Sequence, residues 1–325
     1  MTSKERVKRA IAFQSPDKVP LYLFNKDIEQ SDIISLPLGR AADFKPSSPL
    51  MTEFGYEWES VDDTMGQPKE FVIKEWEDFE TYRFPNPNDP ARYAHLSALI
   101  ERYHDKYLML GIGISGFNNV TFIRGFENTL IDLYTDREQL TKLIDGMFEY
   151  ECGLIDQLKN FPEIDAFAFY DDWGSQKSLL INPVDFREIF LPHYKRQFSK
   201  LKSMGKHIYY HSCGYVLDII PDLIEAGVDV FNFNQPSVSG IDSLSRFNGE
   251  VCFNCPVDLQ SVALKGSRKE IFDYTEELFL KLGKKNGGYI GYVEEYHSIG
   301  LSEENYRSCV EAVDYLNKKY YKTIL

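Results

Sequence analysis

The stretch HIYYHSCGY, residues 207–215, decides how the chain is read. Its first four residues, His207 to Tyr210, have the apolar, β-favouring character of a buried strand. His211 and Cys213 stand at its end. Side chains two apart on extended backbone point the same way, so an imidazole and a thiol leave the strand together. Gly214 lets the backbone turn away behind them. Imidazole plus thiolate is a borderline-soft ligand pair suited to zinc. A histidine and a cysteine can also simply pack at a strand end. The neighbouring strands decide which reading holds.

Working outward, Val19–Phe24, Tyr107–Ile114, Asp165–Tyr170, Val228–Phe233, Val251–Asn254 and Tyr289–Val293 read as further strands. Helices alternate with them. Asn182 and Pro183 form an N-cap and first-turn proline, opening a helix that runs to about Met204. Gly227 ends the helix that begins near Val216. Ser267–Lys284 and Glu303–Lys319 are helical in period. Seven strands are clear, and an eighth is expected within 25–75 or 115–125. This alternation predicts an α/β chain, a single (β/α)8 TIM-barrel domain over residues 1–325. Residues 25–90 read as an insertion or lid. A hairpin is expected there, pairing Tyr56–Val61 with Phe71–Lys74 about Gly66-Gln67-Pro68. No glycine-rich dinucleotide fingerprint follows any strand, which argues against a doubly wound sheet.

Thirty-six basic against fifty acidic residues leave a net charge of −14. Such a surface repels polyphosphate, so no nucleic-acid partner is expected. Five cysteines are too few and odd in number for a disulfide framework. No apolar signal core or membrane-length run is present. The expectation is a reduced, cytoplasmic protein with no membrane association.

In barrels the chemistry gathers at the C-terminal strand ends. Here those ends carry Asn25; Ser115; Asp171, Asp172 and Trp173; His211 and Cys213; Asn234 and Gln235; Cys255 and Asp258; and Glu294, Glu295 and His297. A catalytic zinc takes three protein ligands and keeps one position open. From the residues alone, the third ligand is Glu294, Glu295, Cys255 or Asp172. Asp171 and Asp172 are adjacent, so one of them faces the barrel axis while the other caps or packs. Trp173 reads either as core or as a platform for a flat substrate.

The chain resembles the uroporphyrinogen decarboxylase superfamily, on the branch of cobalamin-dependent methyltransferases. The marks are SKERVKRAIAFQSPDKVP, FGYEWESVDDTMGQP, YDDWGSQ, the INP helix, HSCG, GVDVFN, PVDLQ, and GGY with a later EEN, in this order along nearly the whole chain. The resemblance implies a TIM barrel in which zinc is held by His-x-Cys after one strand and a distant Cys after the last. The pair maps onto His211 and Cys213, and the distant position onto Glu295, with Glu294 one residue away. A carboxylate thus replaces a thiolate. The implied function is a zinc-dependent methyltransferase that moves a methyl group between a separate corrinoid protein and a small donor or acceptor. That small molecule is an O- or N-methyl compound, a thiol or tetrahydrofolate. Asp172, with Trp173 and Asn234, is expected to position substrate, and His297 to shuttle a proton. Glu295-x-His297-x-x-Gly300 imitates a corrinoid-binding segment, but only 25 residues follow Gly300. The cobalamin is therefore expected on the partner corrinoid protein. The alternatives are a uroporphyrinogen decarboxylase-type carboxy-lyase and a non-catalytic metal- or ligand-binding barrel. Against the first, VPLYLF is followed by Asn25-Lys26-Asp27 without the arginines that the decarboxylases use for propionates.

Overall fold

A computed structural model describes residues 1–60, 66–295 and 299–321. Eight parallel strands follow one another round a barrel: β1 (Leu21–Phe24), β2 (Ile33–Pro37), β3 (Tyr107–Ile114), β4 (Ala166–Tyr170), β5 (His207–His211), β6 (Val230–Asn232), β7 (Cys252–Phe253) and β8 (Gly291–Glu294). β2 to β7 form one continuous ladder, and β8 pairs with β1. Two seams close the ring. Asp32 N donates to Leu21 O at 2.7 Å between β1 and β2. A parallel bridge, Phe253 to Tyr289, links β7 to the approach of β8. The eighth strand is therefore Ile33–Pro37, inside the 25–75 region. Residues 116–124 are helix instead.

Alternation along the strands builds two layers of core. Tyr22, Ile33, Tyr107, Met109, Ala166, Ala168, Tyr209, Val230, Cys252 and Tyr292 fill the barrel interior. Val7, Ala10 and Ile11, on the helix Ser3–Ile11, belong to the same cluster. That helix plugs the N-terminal end of the barrel. Outward-facing residues such as Phe167, Phe169, Ile208, Tyr210 and Phe231 pack under the surrounding helices.

The helix after β4 is kinked by its own sequence. Asn182 caps Val184 N and Pro183 occupies the first turn. Pro192 has no N–H to return to Glu188, and Phe186–Phe190 forms a π-turn before Leu191–Ser203 continues. Phe186 and Phe190 both meet the Trp173 ring edge-on, with centroids 4.9 and 4.8 Å away.

The expected hairpin is present but displaced. Trp58–Glu59 pairs with Gln67–Pro68, and Phe71–Lys74 is not a strand. Val72 and Ile73 instead donate their N–H groups to Ile123 O, which docks the segment on the helix after β3. The lid is also fastened at Arg92, whose guanidinium makes a two-pronged contact with Glu53 at 2.8 Å per prong. Breaking such a buried pair typically costs about 3–5 kcal/mol, so the segment is a fixed part of the fold. Among the described residues, no helix is long and apolar enough to cross a membrane.

Candidate metal centre at the barrel mouth

Register places the centre. Tyr170, His211 and Asn232 are ladder partners at the C-terminal ends of β4, β5 and β6. His211 therefore sits between an aromatic ring, 5.7 Å away by centroid, and an amide. Its Nδ1 is 2.5 Å from Asn232 Oδ1. An amide oxygen only accepts, so Nδ1 carries the proton and Nε2 keeps its lone pair for a ligand. Asn232 is itself anchored, donating from Nδ2 to Asn254 O at 2.5 Å. Asn254 Oδ1 in turn accepts from Tyr209 Oη at 2.8 Å. A chain of amides thus crosses the barrel and fixes the imidazole.

Two loops bring the other groups. The YDDWG segment after β4 and the HSCG segment after β5 are zipped backbone to backbone. Asp171 N donates to His211 O at 3.1 Å, Gly174 N to Cys213 O at 3.2 Å, and Tyr215 N to Ser175 O at 2.8 Å. Gly214 has φ +78°, and a Cβ added there would lie 2.2 Å from Gly174 O. A Cβ on Gly174 would lie 2.4 Å from Tyr215 N. Both glycines are required by this close approach. The zipper delivers Asp172 to Cys213, where its Oδ1 accepts the Cys213 N–H at 2.6 Å.

The outcome is a three-ligand cluster of Asp172, His211 and Cys213, with one donor atom of each within 4.8 Å of the others. Cys213 Sγ is 3.5 Å from His211 Nε2, and Nε2 is 3.5 Å from Asp172 Oδ1. Tetrahedral zinc with bonds of about 2.0–2.3 Å needs ligand atoms about 3.3–3.6 Å apart; both spacings from His211 Nε2 meet this, and the Cys213 and Asp172 donors lie within 4.8 Å of each other. Burial, with the charges of Asp172 and then Glu294 beside it, pushes the Cys213 thiol well up. A cation bound here reverses that bias.

His211 and Cys213 do face one point. Asp172 joins them as a potential ligand rather than standing apart as a substrate-positioning group. Glu295 does not come to the pair. Strand alternation turns Glu294 to the barrel side, where Tyr292 Oη donates to it at 2.5 Å and its charge acts on Cys213. The charge of Glu295 acts instead on Tyr306, a buried residue of the last helix, Glu303–Tyr320, in the outer core. Trp173 is fully buried. It stacks on Phe117 at 4.5 Å and donates from Nε1 to Tyr210 Oη at 2.8 Å, so no substrate can lie on it. Cys255 packs in the outer core. Asn234 is buried beside the loop after β7, its carbonyl accepting from Leu259 N. His297 lies outside the described residues.

Asp171 points the other way from Asp172 and caps the helix Gly116–Arg124, accepting from Phe117 N and Asn118 N at 2.9 Å each. Sequence reading missed Asn232, the residue that orients His211. Its signal was present in GVDVFN, but only strand register connects it to the histidine.

The sequence model of the uroporphyrinogen decarboxylase (URO-D) family matches residues 50–315. No curated protein matches the sequence. Among solved structures, a methyltransferase from Methanosarcina mazei superposes with a TM-score of 0.73 at 14% identity, covering 97% of this chain and 99% of its own. A B12-independent methionine synthase from Shewanella sp. W3-18-1 gives 0.49 at 11% identity, over 70% of this chain and 66% of its own.

Proposed function

Because this chain belongs to the uroporphyrinogen decarboxylase family and carries a His-Cys-Asp cluster at its barrel mouth, we propose that it is a zinc-dependent methyltransferase. It moves a methyl group between a separate corrinoid protein, which carries the cobalamin, and a small methyl donor or acceptor. His211 Nε2, Cys213 Sγ and an Asp172 oxygen hold the zinc in this reading. Bound zinc supplies Lewis acidity, which lowers the pKa of an accepting thiol or draws charge from a leaving heteroatom.

The remaining work falls to the protein. Asn232 keeps the Nδ1 proton in place so that Nε2 stays available. The zipped loops hold Cys213 and Asp172 at fixed spacing before any ligand arrives, which removes reorganisation from the reacting complex. In the transfer, the bond from the methyl carbon to the atom it leaves breaks, and its electron pair stays on that atom. The acceptor's lone pair forms the new bond, and an accepting thiol gives up its proton to solvent.

The observation that carries this reading is the ligand cluster itself, with donor spacing suited to tetrahedral zinc. The test begins with metal analysis of protein purified without added zinc, with about one zinc per chain expected. The protein is then mixed with a cob(I)alamin-loaded corrinoid protein and a panel of methyl donors, or with methylcobalamin and thiols or tetrahydrofolate. The cobalt–carbon bond is followed by absorbance. Transfer in one direction that is lost in His211→Ala supports the reading; no transfer in either direction defeats it. Metal-free protein that decarboxylates an anionic tetrapyrrole would install the carboxy-lyase alternative.

A further inference from the structure

The barrel wall is not laddered throughout. β1 pairs with β8 on one side, but no ladder joins it to β2 on the other. Side chains hold that seam instead. Asp32 Oδ2 accepts from Leu21 N at 2.9 Å, and Ser31 Oγ accepts from Leu23 N at 3.0 Å. Ser31 Oγ also donates to Ile33 O at 2.7 Å, so a hydroxyl stands where a strand-to-strand bond would be. Beside this clasp a cavity of about 300 Å³ lies between the two strands. Phe24, Ile28 and Ile33 give it apolar walls, and Tyr22, Asn25 and Ser35 give it polar but uncharged ones. Among the described residues, no charged side chain lines it. Tyr22 is 2% exposed. Its hydroxyl lies close to that of Ser35, yet it makes no hydrogen bond with it or with any other described group. Asn25 adopts φ +65°, a left-handed turn at the end of β1 that leaves it exposed at the cavity rim. The charged residues nearby in sequence are engaged elsewhere: Asp32 with Arg6, Glu29 with Arg102 and Lys26 with Glu303.

A charged group brought into this cavity would give up its water and meet no opposite charge. A buried hydroxyl without a partner carries a free-energy cost that a hydrogen-bonding ligand removes. Concave sites that hold small molecules combine apolar walls with a few such polar groups. We propose that the β1–β2 seam is a binding site for a small uncharged molecule. Its ligand has an apolar body against Phe24, Ile28 and Ile33 and one neutral polar head, a carboxamide or a hydroxyl, bonded to Tyr22 Oη. The site shares no residue with the metal cluster, and it does not depend on the methyl-transfer reading.

The test uses three probes of one shape and different charge, benzamide, benzoate and benzamidinium, titrated into the full-length protein and followed by ligand-observed NMR. Benzamide should bind with a Kd of about 1 mM or tighter. It should bind at least about tenfold more tightly than either ion. Tyr22→Phe removes only the hydroxyl and should weaken benzamide at least about threefold. Ser35→Leu fills the cavity and should abolish binding. Thermal melts report whether each variant is folded, and should one not fold, the other decides. Failure of benzamide to bind overturns the inference, as does an ion that binds as tightly. A benzamide affinity unchanged in the deciding variant places the probe elsewhere and overturns it too. None of these outcomes touches the metal content or the methyl transfer tested above, so the two readings fail separately.

Discussion

At the scale of single residues, the centre depends on Asn232 as much as on its ligands. The amide oxygen at 2.5 Å from His211 Nδ1 decides which ring nitrogen is free. Partners of this kind typically contribute about 10–100-fold to metal affinity. Asn232→Ala should therefore weaken zinc binding by roughly that factor, measured by competition with a chromogenic chelator. Asn232→Asp, which keeps an acceptor at the same atom, should retain most of the affinity. Equal loss in both would show that His211 is held by something else. The ligand pair was legible because i and i+2 on a strand share a side. Asn232 was not, because a ladder partner 21 residues away leaves no local pattern. Glu294 and Glu295 differ for a related reason: moving the strand end by one residue exchanges barrel side for helix side.

At the scale of elements, the site is a junction of two loops, and Gly174 and Gly214 allow it. Gly214→Ala combines a positive φ with a 2.2 Å approach to Gly174 O, and both faults lie within the zipper. Gly205 offers a control, because its φ is +69° yet nothing lies within 4 Å of an added Cβ. The backbone penalty alone is about 1–2 kcal/mol, so Gly205→Ala should lower Tm modestly and keep full zinc content. Gly214→Ala should lose most of its zinc, read by metal analysis after gel filtration. Full zinc content in Gly214→Ala would refute the zipper. Most elements could be read from sequence, because helix caps such as Asn182 and alternating apolar runs are local signals. Ile33–Pro37 escaped because it is short and flanked by polar and turn residues. The hairpin was misplaced because Phe71–Lys74 has strand-like composition, while its backbone is claimed by Ile123 on a helix.

At the scale of the whole molecule, the barrel carries a buried acid that links its stability to pH. Glu151, on the long helix Arg137–Gln157, is fully enclosed. It accepts from Gly116 N and from Gln197 Nε2, both at 2.7 Å. It thereby ties the turn after β3 to the helix that follows β4. Burial pushes its carboxyl up from 4.5 to about 7, against the smaller downward pull of those two hydrogen bonds. Gln197 Oε1, which has no partner among the described residues, would accept the acid's proton if the amide turned over. The sign follows from linkage. Between pH 4.5 and about 7 the folded protein holds this proton and the unfolded chain has released it. Stability therefore falls as pH rises through that window, in total by about 3 kcal/mol, and is flat above it with respect to this group. Asp171, also buried and pushed up by burial, acts in the same direction. Glu151→Gln removes the titration while keeping an uncharged amide in the same space. Thermal melts from pH 5 to 7.5 should show a clear decline in Tm for the natural protein and a shallower one for the variant, the curves converging towards the acid end. Parallel curves would mean that Glu151 is ionised throughout in the fold, and that the turn after β3 rests on a buried charge rather than on a neutral acid.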